Sequence, residues 1–210
     1  MPWAPAYASA ADLAGWLGVD SSDPQLAPAT EAASRAIDQA TGRQFGLLSS
    51  SEFRWYTAEW FRDRWIIDID DLMTEASLTI EVDNDQDGTT EAAITAYRLT
   101  PINGAAKGRP WTRVEVLPAS TVKPNGLRHG VRIGARWGWT AVPQSVKLAT
   151  LIQASRWHQR KGDVTGAPAG PLTSYTVDDV SVAWNASATQ DLDADVLAAI
   201  APYRKLWVAV

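Results

Sequence analysis

The sequence predicts an α+β fold in which helices from both ends of the chain form one body and an antiparallel β region is inserted between them. Two observations carry this prediction. Residues 1–48 and 141–210 place apolar side chains three and four positions apart, as amphipathic helices do. Residues 49–140 instead contain short β-branched and aromatic runs between turn-forming stretches. With 210 residues, of which 46% are hydrophobic, the chain can bury an ordinary core.

Two helices are predicted near the N-terminus. Ser9-Ala-Ala-Asp12 has the spacing of a capping box, and Gly18 suits the end of the short helix that follows. A longer helix is predicted to open at Asp23-Pro24, because proline suits a first helical turn, and to run to Thr41. Gly42 then ends it. Small residues dominate the apolar face of this helix, so a partner helix can approach closely.

Two more helices are predicted towards the C-terminus. The best-patterned one spans residues 142–162 and ends at Gly162. Its predicted buried stripe consists of Leu148, Leu151, Ile152 and Ser155. The last helix is predicted near residues 193–200, after a possible cap at Asp191, and Pro202 breaks or kinks it.

Short β runs fill the middle of the chain. They are predicted at residues 53–57, 65–69, 77–82, 92–99, 113–117 and 131–137. A later pair, residues 172–177 and 180–184, is predicted to form a hairpin around Asp178-Asp179. The domain prediction is therefore a helical core of residues 1–48 and 141–210, with a β region of residues 49–140 inserted into it.

The charges are distributed unevenly along the chain. Residues 1–105 carry 17 acidic and 6 basic groups, a balance of −11, whereas residues 106–210 carry 7 acidic and 13 basic groups, a balance of +6. Such asymmetry is typical of a nucleic-acid face, of two complementary protein surfaces, or of ordinary solvated faces. The candidate inter-subunit or channel-lining residues are the basic side chains Arg113, Arg132, Arg136, Arg156, Arg160 and Lys161. Interleaved arginines and Trp137/Trp139 could also stack on a nucleic-acid strand.

No catalytic or cofactor motif is evident. The chain lacks cysteine, a G-x-S-x-G turn and a phosphate-binding loop, so we expect no enzyme and no cofactor. Asp83, Asp85 and Asp87 imitate the first half of a calcium loop, with Gly88 at the turn position. Ile94 stands where such a loop needs its bidentate glutamate. A polar hairpin loop is therefore the preferred interpretation, with weak metal binding as the alternative.

Short motifs spread over nearly the whole chain resemble those of one known family. At the N-terminus they are Ala8-Ser-Ala-Ala-Asp-Leu, Trp16-Leu-Gly, Ala32-Ala-Ser-Arg-Ala-Ile-Asp and Thr41-Gly-Arg-Gln-Phe45. Further along they are Val82-Asp-Asn-Asp-Gln-Asp-Gly, Tyr97-Arg-Leu-Thr-Pro101, Trp137-Gly-Trp, Val142-Pro143-Gln-Ser-Val-Lys-Leu-Ala and Ala201-Pro-Tyr-Arg204. Together they resemble the head–tail connector (adaptor) family of tailed phages, in the form found in phages of actinobacteria. The long β insert departs from the smaller, mostly helical members.

The resemblance implies a structural protein of the virion. It implies a ring of identical subunits, a dodecamer, assembled in the host cytoplasm and located at the head–tail junction. The implied partners are the portal protein, a downstream stopper or tail-completion protein, and the genomic DNA that passes through the channel, with no membrane. The alternatives are a nucleic-acid-binding module that uses the basic residues 107–161, and a minor tail or capsid-completion protein.

The C-terminal segment is the candidate portal-docking element. The chain ends in a run of five apolar residues, where polar residues are the norm. The docking candidates are Tyr203, Arg204, Leu206, Trp207 and Val208. Two interpretations stay open: the segment folds back so that Trp207 fills a groove of its own subunit, or it is an arm that becomes ordered against the portal.

Overall fold

The computed structural model describes residues 4–160, 174–177, 180–183 and 192–205, with residue 160 and the two short segments between 174 and 183 described by their backbone alone. The chain divides into two compact units. One, called the β unit below, is Gln44–Val142, and the other, called the helical unit, is Ala4–Arg43 with the described part of Pro143–Val210. The fold is α+β, as predicted. No helix among the described residues is long and apolar enough to cross a membrane.

Four α-helices build the helical unit: α1 (Ala10–Leu17), α2 (Leu26–Thr41), α3 (Gln144–Arg160) and α4 (Ala194–Ile200). The capping box at Ser9 and Asp12 is present, and Gly18 ends α1 in the left-handed conformation. Gly42 ends α2 in the same way. The predicted cap at Asp191 is wrong: Asp193 caps α4 by accepting from the Asp195 N–H at 2.7 Å. Gly162 and Asp191 lie outside the described residues.

The buried face of α3 differs from the predicted stripe. Leu148 is exposed, whereas the polar Gln153 is buried. The reason is that α3 packs against α1, α2 and α4, so more than one side of it is covered and a single stripe does not describe it. Gln153 is tolerated there because its Oε1 accepts from the backbone N–H of Asp193 at 3.2 Å. The core between α1, α2 and α3 contains Leu13, Leu26, Ala33, Leu151 and Ala154.

Two four-stranded antiparallel sheets form the β unit. Their strands are β1 (Glu52–Tyr56), β2 (Ala58–Phe61), β3 (Arg64–Leu72), β4 (Thr79–Val82), β5 (Ala92–Ala93), β6 (Tyr97–Thr100), β7 (Trp111–Val116) and β8 (Val131–Ala135). The first sheet has the order β1-β8-β4-β5 and the second the order β2-β3-β7-β6. In the helical unit, β9 (Ser174–Val177) and β10 (Val180–Ala183) pair antiparallel, as the predicted hairpin requires.

Two parts of the β unit differ from what the sequence predicts. The run predicted at residues 92–99 is two strands, β5 and β6, which belong to different sheets. Strand β2 was not predicted at all. It joins β3 through a two-residue turn in which Arg62 and Asp63 both have positive φ. Such turns usually contain asparagine or glycine, so this one leaves no signal in the sequence.

The core of the β unit lies between apolar side chains of both sheets. Its fully buried members include Ile67, Leu72, Val114, Val131 and Ile133. Val131, Ile133 and Ala135 of β8 are buried on one face, and Gly134 on the other face is buried as well. The edge strands are β1 and β5 in the first sheet and β2 and β6 in the second.

Candidate inter-subunit surfaces

Strand β1 exposes two large aromatic side chains on one face. Phe53 is 57% exposed and Trp55 is 39% exposed, and as alternate residues they point the same way. The Arg132 guanidinium from β8 lies over both rings, 4.8 Å from the centre of Phe53 and 5.8 Å from that of Trp55. Its Nη2 also pairs with Glu81 Oε2 at 2.7 Å. Phe53, Trp55 and Arg132 are called the β1 surface below.

Phe53 lies where it does because β8 has a glycine opposite it. Gly134 pairs with Phe53 on one side and with Thr79 on the other. A Cβ at Gly134 would stand 2.6 Å from Phe53 Cε1 and 2.7 Å from Thr79 Oγ1. The ring therefore occupies space that any other residue would fill, a close approach that only glycine allows.

The other face of β1 is fixed by a polar network. Arg54 Nη1 pairs with Asp70 Oδ2 at 2.7 Å, and its guanidinium lies 5.1 Å from the centre of the Trp137 ring. The Tyr56 hydroxyl donates to the same Asp70 oxygen at 3.0 Å. Burial, and then the charge of Asp70, raise the pKa of Tyr56, so this hydroxyl stays protonated and keeps donating. The network holds β1 in place and leaves the β1 surface outward.

A second aromatic surface lies on β2. Trp60 is 57% exposed and Phe61 is 52% exposed. The Trp60 ring packs edge-on against Trp65 at 5.2 Å, and the Arg62 guanidinium lies 5.0 Å from the centre of Phe61. Trp60, Phe61 and Arg62, at the end of β2 and in the turn after it, are together called the β2 surface; the consecutive Trp60 and Phe61 point to opposite faces of the strand. Both β1 and β2 are edge strands, and exposed apolar edges are sites at which chains associate.

The tryptophans singled out from the sequence are not on a surface. Trp137 and Trp139 are both buried. The Trp137 Nε1–H donates to the Glu52 carbonyl and the Trp139 Nε1–H donates to Asp71 Oδ2, each at 2.8 Å. The expectation that this pair stacks on a nucleic-acid strand is therefore wrong.

The predicted basic candidates are dispersed, and those with described side chains have partners. Arg113 Nε pairs with Asp68 Oδ1 at 2.6 Å, and Arg136 Nε donates to the Leu48 carbonyl at 3.1 Å. Arg156 pairs with Asp193. Arg113 lies on β7, Arg136 follows β8 and Arg156 lies on α3, so they belong to different elements. The Arg160 side chain and Lys161 lie outside the described residues.

Folding also removes the charge asymmetry of the two sequence halves. The β unit contains 13 acidic and 11 basic groups, a balance of −2. Residues 4–43 and 143–210, the whole range that the helical unit spans in the sequence, contain 11 acidic and 8 basic groups, a balance of −3. The halves with balances of −11 and +6 are therefore not separate bodies. The two halves of the sequence therefore do not form two oppositely charged faces. Any contact between subunits has to come from smaller local surfaces.

The C-terminal candidates are described as far as residue 205. The Tyr203 carbonyl accepts from Arg43 Nε at 2.7 Å, and the Tyr203 hydroxyl lies 3.0 Å from Ser145 Oγ. The Lys205 N–H donates to the Thr41 carbonyl at 2.7 Å. The turn after α2 thus receives the segment after α4, a role for Arg43 that the sequence did not show. Leu206, Trp207 and Val208 lie outside the described residues.

The acidic loop between β4 and β5 does gather its side chains. Asp83, Asp85 and Asp87 lie together, and Glu91 joins them. One carboxylate oxygen of each residue lies within 4.8 Å of those of the other three. Glu91 was not among the residues predicted for this loop.

Comparisons with known proteins identify the fold. No protein-family model and no curated protein matches the chain. Two solved structures match it over 100% of its length and 95% of theirs. One, described as "Neck of empty GTA particle computed with C6 symmetry", is 21% identical with a TM-score of 0.53. The other, "Neck of native GTA particle computed with C12 symmetry", is 22% identical with a TM-score of 0.50.

The chain shares the fold of these neck chains. GTA stands for gene transfer agent, a phage-like particle. The match extends over both the helical unit and the β unit, so the inserted sheets belong to the shared fold. At these identities the likeness is one of fold, and the role of the chain is argued separately below.

Proposed function

We propose that the protein is a structural component of the head–tail junction of a tailed phage or phage-like particle, where copies of it form a ring. The observation that carries this proposal is the fold, which matches neck chains over the full length. The symmetries named for those particles, sixfold and twelvefold, support a closed ring of identical subunits. The sequence motifs of the connector family support the same role.

The ring contact is proposed to involve the β1 surface and the β2 surface. A head-to-tail ring needs two different patches on each subunit, because one patch of each copy meets the other patch of the next. The two edge strands supply such a pair, with four exposed aromatic rings and Arg62 and Arg132 beside them. Aromatic residues and arginine are the residue types enriched where protein interfaces gain most of their affinity.

Within the ring, the proposed role is that of an adaptor. It would extend the DNA channel beneath the portal and present a surface to the next connector or tail protein, without catalysing a reaction. The segment that begins with Tyr203 and Arg204 is proposed as the portal-facing element. It follows α4, and the hydrogen bond from Arg43 to the Tyr203 carbonyl fixes the point at which it leaves the helices. A dodecamer is the expected ring.

Electron microscopy of the purified full chain tests the ring, alone and mixed with portal protein. We expect discrete rings with twelve subunits, and mass measurement should give the same number. Trp60→Ala should weaken assembly, whereas Trp16→Ala is the matched control, since Trp16 is equally exposed but lies on α1. A chain that stays monomeric with portal present, and particles that gain tails without it, would overturn the proposal.

The same protein preparations also test the alternative function, that of a nucleic-acid-binding module. Binding through phosphate contacts weakens steeply with salt, because counterions are released on binding. We expect no salt-dependent shift of DNA on a gel by the monomer, since Arg113, Arg132 and Arg156 are already paired with carboxylates. Tight, salt-sensitive binding that is lost in Arg132→Ala would favour the nucleic-acid module instead.

A further inference from the structure

The loop between β4 and β5 places four carboxylates around one point. Asp83, Asp85 and Asp87 alternate along residues 83–91, and Glu91 closes the group just before β5 begins. Counted from Asp83, Glu91 is at the ninth position, which in calcium loops of this pattern also faces the ion. The expectation of a metal-free loop depended on Ile94 at the twelfth position. The structure supplies the fourth acidic group from a different position.

The spacing of the oxygens suits calcium. They lie within 4.8 Å of one another. Ligand oxygens held about 2.3–2.6 Å from one Ca²⁺ ion can be at most about 4.6–5.2 Å apart. The shorter bonds of Mg²⁺, about 2.0–2.1 Å, restrict that span to about 4.2 Å. The oxygens of the loop therefore lie within the span that one Ca²⁺ ion allows.

A buried oxygen without a partner points to a ligand independently of the cluster. Asp83 is only 3% exposed, and its Oδ2 accepts from the Gly88 N–H at 3.0 Å. Its Oδ1 is buried and has no hydrogen-bond partner, and the same is true of Asn84 Oδ1 beside it. A buried carboxylate oxygen without a partner is costly, because it has lost its water. An ion among the four carboxylates would satisfy it.

The charges of the loop are also uncompensated. Within the described part of the chain, none of the four carboxylates forms an ion pair with a lysine or arginine. Asp85 and Glu91 line a surface depression of about 410 Å³, so an ion can reach them from solvent.

We propose that residues 83–91 form a calcium site, with Asp83, Asp85, Asp87 and Glu91 as its carboxylate ligands. The ion balances the four negative charges and gives the buried Asp83 Oδ1 a partner. This site does not depend on the connector role proposed above.

Binding at this site is expected to stabilise a wider part of the β unit. The loop is hydrogen-bonded to residues 123–130: Asn125 Nδ2 donates to the Asn84 carbonyl at 2.7 Å, and Gln86 Nε2 donates to the Arg128 carbonyl at 2.6 Å. The Asp83 N–H donates to the Gly130 carbonyl at 3.0 Å. An ion that fixes the loop therefore also fixes the segment that leads into β8.

Calorimetric titration of the chelator-treated full chain with CaCl₂ tests the site. We expect one ion per chain and a rise in the melting temperature with added calcium, because a ligand of the folded state stabilises it. Titration with MgCl₂ should give at least about tenfold weaker binding, because Mg²⁺ gives up its water reluctantly and is seldom held by an all-protein set of ligands.

Matched variants assign the binding to the loop. Asp85→Asn and Glu91→Gln each remove one charge from an exposed side chain, and each should raise the dissociation constant at least about tenfold. Asp63→Asn is the control: it makes the same change in an exposed turn elsewhere in the β unit and should leave binding unchanged. Circular dichroism confirms that each variant is folded. Absence of calcium binding to the unmodified chain, or equal affinity in Asp85→Asn and Asp63→Asn, would overturn the proposal.

Discussion

The helical unit and the β unit use their charged side chains differently. In the helical unit, ion pairs join one element to another: Lys147 Nζ on α3 lies 2.9 Å from Asp12 Oδ1 on α1, and His158 Nε2 lies 2.9 Å from Asp23 Oδ2 before α2. In the β unit, ion pairs such as Arg54–Asp70 also join strands, but Arg62 and Arg132 in addition lie over exposed aromatic rings at the sheet edges. The difference is therefore that part of the charge in the β unit covers aromatic surface that is available to a partner.

The difference predicts how the two units respond to mutation. Changes at buried or joining residues should lower stability wherever they are made. Changes at the β1 surface and the β2 surface should leave stability nearly unchanged and act on association. The four predictions that follow test this distinction, from the largest expected effect to the smallest.

The largest contrast lies within the β unit, between a buried and an exposed tryptophan. Trp137→Ala should lower the free energy of unfolding by about 3–5 kcal/mol, because it empties a core position and removes the bond to the Glu52 carbonyl. Trp60→Ala should change it by less than about 0.5 kcal/mol, since Trp60 is 57% exposed. Urea unfolding followed by circular dichroism measures both.

For ring assembly we expect the reverse order: among folded proteins, Trp60→Ala should reduce assembly more than Trp137→Ala does. Trp60→Ala is expected to reduce the fraction of rings in electron micrographs. A Trp60→Ala protein as destabilised as Trp137→Ala would mean that the β2 surface is part of the fold, and the distinction between the units would fail there.

The second prediction concerns the joint between the turn after α2 and the segment after α4. Arg43→Met keeps the apolar stem but removes the N–H that donates to the Tyr203 carbonyl. We expect a loss of about 1–2 kcal/mol, because the carbonyl loses a charged donor in a partly buried place. Arg204→Met is the matched control. Arg204 lies two residues after Pro202 and is exposed, so its replacement should not change the free energy of unfolding. Equal losses in both would argue against a joining role for Arg43.

The third prediction compares one glycine from each unit. Gly134→Ala should destabilise the protein by about 1 kcal/mol, because its Cβ displaces the Phe53 ring and Thr79. Gly15→Ala should stabilise it by about 0.5–1 kcal/mol, because α1 has open space there and alanine is the better helix former. Thermal unfolding distinguishes the two signs. A neutral Gly134→Ala would show that Phe53 moves aside freely.

The helices were the most predictable elements because their signals are local. Ser9, Asp12, Gly18 and Gly42 act on their own turns, and each has the predicted role. Strand β2 was missed because Arg62 and Asp63 form a turn that glycine usually marks. Nothing local separates β5 from β6 either: they stand close together in one β-patterned run, and they belong to different sheets only because β5 pairs with β4 and β6 pairs with β7.

The candidate surfaces were less predictable than the fold. A tryptophan in a β run can face the core or the solvent, and a shift of one position reverses the two. Trp137 and Trp139 turned out buried, whereas Trp55 and Trp60 are exposed. Glu91 was missed for a related reason: the loop pattern was compared with its twelfth position, while folding brings the ninth position to Asp83.

The smallest effect expected here concerns the pair that joins α1 to α3. The hydrogen bond from Lys147, followed by those from Ser9, lowers the pKa of Asp12 to about 2 from 3.8. Because the pKa is lower in the folded state, the ionised carboxylate stabilises the fold above pH 3.8, and this contribution is lost as the pH falls towards 2. Asp12→Asn should therefore cost about 0.5–1 kcal/mol at neutral pH, a modest value because the pair is partly exposed to solvent.

The pH dependence of that difference is the decisive measurement for the pair. Urea unfolding of the two proteins should differ by a constant amount from pH 7 down to about pH 4 and then converge in more acidic buffer, as Asp12 takes up its proton. Glu31→Gln, the corresponding change of a carboxylate to an amide on the exposed side of α2, is the control because it lies outside the pair of Asp12 with Lys147. A difference between wild type and Asp12→Asn that persists unchanged at pH 2 would show that the carboxylate charge does not join the helices. The helical unit would then rely on apolar packing, as the core of the β unit does.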